Sequence, residues 1–311
     1  MEDAHGSSLT FPPELVDRTI DHLYDDKPSL RACALVSRSW LNTSRHHLFR
    51  TLLVRPRGQD TLAGQEFTVF RSFLRETPHV SFHIRELGLG TRRPYGRGVA
   101  QLCKHALSDI LQRTPKLLKL WLLAISIVDC DEHCENLIYY SKAAPVDLIE
   151  LSFAVEFMVV IEPFIETLRF FGHVGTLRFH PRFFGNHEAA ITTMRSLSRI
   201  PMSLRVHELV NGPITDKIIY DVLIIFRSLD TLSSFFFLLP MFREESTSTV
   251  SQFIAAAGST LRHLSLNLLF MRPGAVLPGK SSASIRHLYS QNFFKLAPVN
   301  VIAIYSIKFN E

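Results

Sequence analysis

Cysteine is scarce in this chain, with four among 311 residues. Four cysteines are too few for a disulfide scaffold of this size, which excludes the small disulfide-rich secreted class. The first residues, from Met1 to Gly6, are acidic and polar, which is not the pattern of a signal peptide. Both features favour an intracellular protein with reduced thiols, in the cytoplasm or the nucleus.

Neither the charge balance nor the apolar runs indicate a nucleic acid or a membrane as partner. Lys and Arg number 34 against 29 Asp and Glu, and this formal excess of +5 is small and dispersed along the chain. No uncharged apolar run approaches the roughly 18–20 residues of a membrane span. Hydrophobic residues make up 46% of the chain and charged residues 20%, which predicts a globular protein of one or two domains.

The local motifs of hydrolytic enzymes are absent. The pairs His187-Glu188 and His207-Glu208 lack the second histidine of a His-Glu-x-x-His zinc motif, and no Gly-x-Ser-x-Gly nucleophile elbow occurs. A serine triad is assembled in space from distant residues, so scattered Ser, His and Asp leave that possibility open. We expect no catalytic residues and no cofactor.

The segment Cys130-Asp-Glu-His-Cys134 concentrates residue types that bind metals. Zinc sites usually draw four ligands from two such clusters, and the distant candidates Cys103 and His105 have no distinctive spacing. The alternative is the start of a helix, whose positive end favours acidic residues. We expect no metal site in this segment.

The segment from Gly274 to Ser281 matches the P-loop pattern Gly-x-x-x-x-Gly-Lys-Ser in full. In that loop backbone N–H groups hold phosphates, but Pro278 has no N–H to donate. About thirty residues follow Ser281, too few for the remaining strands of a nucleotide-binding fold. A surface turn uses the same residue types. A P-loop nucleotide-binding protein is kept as an alternative function.

Three short helices are predicted within residues 9–50. The first follows the Pro12-Pro13 pair, since proline is tolerated in a first helical turn; the second starts near Pro28, and the third runs from Trp40 to Leu48. The second helix is apolar nearly all round, from Ala32 to Val36, so it needs cover on more than one side. About forty residues rarely sustain a core alone, which indicates a docking module.

The same segment resembles the F-box, whose pattern is Leu-Pro, then Glu, Ile and Leu, and finally Leu-Val and Trp. The matching residues are Pro12 or Pro13, Glu14, Leu15, Ile20, Leu23, Leu30, Leu35, Val36 and Trp40. The segment departs from the pattern at Phe11, where leucine is usual, and at Ser37, where cysteine is common.

The resemblance implies that residues 9–50 bind the adaptor subunit of a cullin–RING ubiquitin ligase, and the cullin scaffold through it. The apolar anchors that it implies are Pro12, Leu15, Ile20, Leu30, Val36 and Trp40. The alternative is an ordinary N-terminal helical cap with Trp40 in its own core.

A short pattern, apolar-x-x-Leu-x-apolar, recurs about every 30 residues in the rest of the chain. Such short alternation predicts strands. The central residues are Leu52, Leu87, Leu120, Leu151, Leu177 and Leu264, with weaker versions at Leu204, Leu232 and Leu288. Helical spacing between the strands is found at 67–74, 99–111, 191–200, 214–226 and 250–257. This alternation implies parallel strands with right-handed crossovers.

Residues 51–311 resemble a degenerate leucine-rich-repeat domain, which implies an irregular α/β solenoid with parallel strands that binds a target protein. The asparagine that usually closes each repeat turn is missing from most units. The alternative is an irregular α/β sheet. The apolar segment 297–311 is expected to be a last strand that covers the open end of the solenoid.

Basic residues follow two of the predicted strands. They are Arg55 and Arg57 after the first strand, and Arg92, Arg93 and Arg97 after the second. Loops after successive parallel strands lie along one rim, so these residues are expected to converge and attract an acidic partner; the alternative is two separate solvated loops. The chain as a whole is predicted to be a substrate receptor of a ubiquitin ligase, with a scaffold that lacks ligase coupling as a further alternative.

Overall fold

The computed structural model describes residues 12–55, 65–90, 100–128, 144–154, 158–159, 161–179, 182–183, 187–197, 202–211, 217–238, 252–258 and 260–267. Within these residues the chain is an α/β protein. Three helices come first, and a parallel sheet with further helices between its strands follows.

The first three helices are α1 (Pro13–Asp21), α2 (Lys27–Val36) and α3 (Arg38–Arg50). Side-chain caps fix two of the starts. The Asp26 carboxylate accepts the Ser29 N–H at 3.2 Å at the start of α2. The Ser37 hydroxyl accepts the Trp40 N–H at 3.4 Å, so α3 begins earlier than the predicted Trp40.

The strands are β1 (Thr51–Val54), β2 (Glu86–Gly90), β3 (Ala100–Cys103), β4 (Lys119–Leu123), β5 (Ile125–Val128), β6 (Val146–Ala154), β7 (Met158–Val159), β8 (Phe171–Phe179), β9 (Arg182–Phe183), β10 (Arg205–Asn211), β11 (Ser234–Leu238) and β12 (His263–Asn267). The helices between them are α4 (Gln65–Glu76), α5 (Pro78–Ser81), α6 (Lys104–Arg113), α7 (Ile161–Leu168), α8 (His187–Leu197), α9 (Lys217–Ile225) and α10 (252–257).

Eight strands form one sheet in the order β1-β2-β4-β6-β8-β10-β11-β12. Every neighbouring pair in this sheet is parallel, which confirms the predicted strand direction. The order of the strands follows their order in the chain, so each connection moves one step in the same direction. Parallel neighbours need a crossover, and the helices supply several of these connections.

One apolar residue from each strand lies in register across the sheet. This apolar ladder consists of Leu52, Leu87, Leu120, Leu151, Leu177, Leu209, Phe235 and Leu264. The predicted centres Leu204 and Leu232 are wrong, because the register places Leu209 and Phe235 at those two steps. Leu204 and Leu232 are both buried just before β10 and β11. The predicted centre Leu288 lies outside the described residues.

Two short parallel pairs, β3–β5 and β7–β9, lie outside the main sheet. Neither pair was predicted from the sequence. The predicted helix over 99–111 is wrong in its first part, since β3 occupies Ala100–Cys103 and α6 begins only at Lys104. Leu102 in β3 and Leu107 in α6 are both fully buried, so a strand followed by a helix produced apolar residues at helical spacing.

The helices and the sheet share one apolar core. At its centre Phe153 of β6, Phe164 of α7 and Phe179 of β8 pack with ring centroids 5.0 to 6.0 Å apart. The helix α7 was not predicted from the sequence, although Phe164 and Ile165 are fully buried. This core is separate from the small apolar cluster inside α1–α3.

Glycine is required at position 90, where β2 ends. Its φ of 107° is rarely adopted by residues with a side chain, and a Cβ there would lie 1.9 Å from the Leu123 carbonyl oxygen. We expect Gly90→Ala to lower the free energy of unfolding by about 3 kcal/mol or more, from backbone strain and the clash together.

Gly258→Ala is the matched control for this prediction, because its Cβ would lie 3.2 Å from the nearest atom and its φ is not positive. Urea unfolding followed by circular dichroism measures both variants. Equal losses of stability in the two variants would contradict the argument.

Candidate docking surface

The helices α1, α2 and α3, which we call the helical trio, have a small apolar core of their own. Val16 and Ile20 of α1 and Leu30 of α2 are buried in it. The partly buried side chains that pack against this core are Leu23, Trp40 and Leu48. So few buried side chains contribute little stability, which is the expected state of a module that depends on its surroundings.

Polar side chains connect α1 to α3. The Thr43 hydroxyl donates to Asp17 Oδ1 at 2.5 Å, and His47 Nε2 lies 2.7 Å from Asp21 Oδ1. Within each helix the two residues are four apart, so they share one face. The two contacts therefore fix the position of α1 along the axis of α3.

Lys27 connects the start of α2 to the end of α3. Its Nζ donates to the carbonyl oxygen of His47 at 2.6 Å and to that of Leu48 at 3.5 Å. A lysine at the C-terminal carbonyls of a helix satisfies acceptors that have no partner within the helix and complements the helix dipole. Burial lowers the pKa of Lys27, and the nearby charge of Asp25 opposes that shift.

The outward side of the trio carries large apolar side chains. Leu15 of α1 is 47% exposed, and Leu35 and Val36 at the end of α2 are 87% and 64% exposed. Contiguous exposed apolar side chains mark contact surfaces more often than isolated ones do. The exposed apolar end of α2, Leu35 and Val36, is the candidate docking surface.

The six predicted adaptor anchors have different positions in the structure. Pro12, Leu15 and Val36 are exposed, and Trp40 is partly buried against the small core. Ile20 and Leu30 are fully buried, so a second protein cannot contact them while α1, α2 and α3 keep this packing. Those two side chains hold α1 and α2 together and position the exposed residues.

The helical trio continues into the sheet without a linker. The helix α3 ends at Arg50 and β1 begins at Thr51, while the Arg85 N–H ahead of β2 donates to the Arg50 carbonyl at 2.9 Å. The rings of His46 in α3 and His83 before β2 lie 5.9 Å apart. A backbone hydrogen bond and a side-chain contact therefore fix α3 against the segment that leads into β2.

The sheet provides a second surface, on the side away from the apolar ladder. Successive residues of a strand point to opposite sides, so the residue before each ladder position faces the other way. All eight of these residues are polar and lie in register. This polar row consists of Thr51, Glu86, Lys119, Glu150, Thr176, Glu208, Ser234 and His263.

Opposite charges and hydroxyl groups pair along the polar row. Lys119 Nζ lies 3.1 Å from Glu86 Oε1, and the Thr51 hydroxyl donates to Glu86 Oε2 at 3.0 Å. Burial acts to raise the pKa of Glu86, but the hydrogen bonds from Lys119 and Thr51 and the charges of Lys119 and Arg50 outweigh it and hold the pKa below its ordinary value.

The pairing extends to the middle of the sheet. Glu150 Oε1 accepts the Trp121 indole N–H at 3.2 Å and lies 3.2 Å from Arg178 Nε. The Thr176 hydroxyl donates to Glu208 Oε2 at 2.9 Å. Sequence reasoning did not single out this row, but a polar residue directly before each central Leu was a signal that could have found it.

Of the five predicted basic loop residues, Arg55 is exposed directly after β1. Arg57, Arg92, Arg93 and Arg97 lie outside the described residues, so their convergence stays a prediction. The P-loop match at Gly274–Ser281, the segment Cys130–Cys134 and the predicted last strand at 297–311 lie outside them as well.

Two of the four cysteines, Cys33 and Cys103, lie in the described part of the chain. Cys103 is disulfide-bonded, whereas Cys33 is a free thiol. One disulfide is not a scaffold, but it departs from the expectation of reduced thiols throughout. A disulfide sulfur is not a thiolate ligand, so Cys103 does not fit a zinc site. In the described ranges, no three His, Cys, Asp or Glu residues group as metal ligands.

None of the described helices has the length and apolar character needed to cross a membrane. No protein-family model matches the sequence, and no curated protein shows significant similarity to it.

Proposed function

We propose that the protein is a substrate-receptor subunit of a cullin–RING ubiquitin ligase. In this proposal residues 9–50 are an F-box that binds the adaptor subunit. Residues 51–311 are a leucine-rich-repeat-like solenoid that binds a target protein.

The observation that carries the proposal is the exposure of Leu35 and Val36 at the end of α2. Both lie in the Leu-Val…Trp part of the F-box pattern, and the trio has only a small core beneath them. Burying two such side chains against a partner contributes about 1.5–3 kcal/mol each. An exposed apolar helix end on a module of this size is most simply explained by a second protein that covers it.

The arrangement of the sheet supports the second half of the proposal. The parallel strands follow one another in chain order, as in a repeat array where each unit contacts only its neighbours. Such an array is a stiff support for side chains and loops that bind a target. The direct passage from α3 to β1 would hold the target domain at a fixed position relative to the adaptor.

The proposed contribution to ubiquitin transfer is positional. No catalytic residue is assigned to this chain, and the transfer chemistry would belong to the other ligase subunits. Holding a target close to the reactive centre converts a bimolecular step into an effectively intramolecular one.

A pull-down of the tagged full chain, beside a version that lacks residues 9–50, tests the proposal. We expect mass spectrometry to identify the ligase adaptor and a cullin with the full chain and neither with the shortened chain. Circular dichroism on the shortened chain checks that its sheet is folded. Recovery of other proteins without adaptor or cullin would contradict the proposal and favour a scaffold without ligase coupling.

A further inference from the structure

The N-terminal ends of the first strands meet at one edge of the sheet, and each is preceded by a basic residue. Arg50 precedes β1, Arg85 precedes β2 and Lys116 precedes β4. The Arg85 N–H donates to the Arg50 carbonyl at 2.9 Å, and Arg85 Nη1 donates to the Lys116 carbonyl at 3.4 Å. These bonds bring the three basic residues of separate segments next to one another.

Side chains from α3 and α5 add to this basic edge. His46 and His83 lie with ring centroids 5.9 Å apart, and both are partly buried. The residues of the resulting cluster, which we call the basic junction, are Arg45, His46, Arg50, His79, His83, Arg85 and Lys116. The junction lies at the N-terminal ends of β1 and β2, the opposite side of the sheet from their C-terminal ends at Val54 and Gly90.

The two histidines report the electrostatic potential of the junction. Burial lowers the pKa of His46 and of His83, and neighbouring cations lower both further. The permanently charged neighbours are Arg50 and Arg85 around His46, and Lys116, Arg45 and Arg85 around His83. The charges that act on both rings make the junction a site of positive potential.

Two carboxylates beside the junction are engaged with other groups. Asp21 is 2.7 Å from His47 Nε2, and Glu86 forms its ion pair with Lys119 of the polar row, although the charge of Arg50 also acts on Glu86. In the part of the chain that the structure describes, no carboxylate forms an ion pair with Arg50 or Lys116, and both side chains are exposed. The positive charge therefore faces solvent.

We propose that the basic junction binds an acidic polypeptide segment of a partner protein. Phe82 is half-exposed at the junction, with Lys116 Nζ 5.8 Å from its ring, which offers an apolar contact to a peptide side chain. The inference does not depend on ligase coupling.

Fluorescence anisotropy on the full chain tests the proposal with a labelled Glu-rich peptide, and with a matched peptide that has Gln in place of Glu. We expect the Glu-rich peptide to bind more tightly, with an affinity that falls as salt is added. Arg50→Glu combined with Lys116→Glu should weaken binding about tenfold or more. Arg262→Glu, an exposed arginine just before β12 on the same edge, is the control and should leave the affinity unchanged.

Proton NMR titration of the histidines locates the site. A bound anion favours the charged imidazolium, so the Glu-rich peptide should raise the pKa of His46 and of His83. Equal affinity of the double variant and the native chain, or equal binding of the two peptides, would overturn the proposal. Binding of single-stranded RNA without binding of the Glu-rich peptide would overturn it as well. Adaptor capture, measured on the single variant Lys116→Glu, should be unchanged because Lys116 lies outside residues 9–50, and this separates the test from that of ligase coupling.

Discussion

Replacing Leu35 and Val36 by aspartate is expected to lower the affinity for the ligase adaptor by about 100-fold or more, while the fold is retained. Both side chains are mostly exposed, so the folded chain loses no buried contact. In the complex, however, two carboxylates would be buried in an apolar interface, which costs several kcal/mol. A 100-fold loss corresponds to about 2.8 kcal/mol.

Val69→Asp is the matched control, because Val69 is also a valine on a helix and is 72% exposed, but it lies on α4. Its adaptor affinity should equal that of the native chain. Surface plasmon resonance with immobilised adaptor measures the affinities, and thermal unfolding checks the fold of each variant. A double variant that is folded and binds the adaptor as tightly as the native chain would contradict the proposed role of Leu35 and Val36 in adaptor binding.

Leu30→Ala separates a structural role from a contact role in the same helix. Leu30 is fully buried in the small core of the trio, so its truncation is expected to cost about 2–5 kcal/mol of local stability. We expect adaptor binding to fall in proportion to the unfolding of the trio and to recover in part on cooling. Hydrogen exchange of α1–α3 measures the local opening.

Asp109→Asn is expected to lower the free energy of unfolding by about 3 kcal/mol. The Asp109 side chain is 3% exposed and binds arginines of two helices. Its carboxylate lies 2.8 Å from Arg71 Nε and 3.5 Å from Arg75 Nη2 of α4, and 2.9 Å from Arg113 Nε of α6. Removal of the negative charge leaves these guanidinium groups crowded and unneutralised, and the packing of α4 on α6 depends on them.

Glu76→Gln is the control, because Glu76 is an exposed carboxylate at the end of α4 and its loss should cost less than about 0.5 kcal/mol. Urea unfolding of the two variants gives the comparison. An Asp109→Asn variant as stable as the Glu76→Gln variant would contradict a stabilising role for the buried ion pairs.

The same carboxylate gives a pH dependence with a definite sign. Burial acts to raise the pKa of Asp109, but the hydrogen bond and charge of Arg71 and the charge of Arg113 outweigh it and hold the pKa below its ordinary value. The stabilising contribution is therefore complete above the unfolded-state pKa of about 4 and is lost as the pH falls through the folded-state pKa. The stability difference between the native chain and Asp109→Asn should shrink as the pH is lowered from 7 towards 3.

Those strands of the sheet could be predicted from the sequence in which the ladder position is a leucine with apolar residues at the expected spacing. In β10 the pattern fails because Asn211, two residues after Leu209, stands where an apolar residue is expected. In β11 it fails because the ladder residue is Phe235 and not leucine. Buried leucines just upstream, Leu204 and Leu232, then drew the prediction away from the true register. Both residues just before a strand and residues within it are buried apolar side chains here, so only the pairing between strands shows which residue is the ladder position.

The candidate docking surface was predictable as a segment but not residue by residue. The pattern places Leu30, Leu35 and Val36 on one short helix, and all three are equally apolar. Leu30 is fully buried and Leu35 is 87% exposed, because α3 packs against one face of α2 and leaves the end of the helix uncovered. A helix that is apolar nearly all round contains no periodic signal that separates its inner from its outer face.

Isothermal titration calorimetry of the full chain with purified ligase adaptor tests the central claim most directly. The proposal predicts a one-to-one complex with a dissociation constant of about 1 µM or tighter, and a negative heat-capacity change as Leu35 and Val36 leave water. A folded chain that gives no binding heat with the adaptor at several temperatures would contradict the assignment.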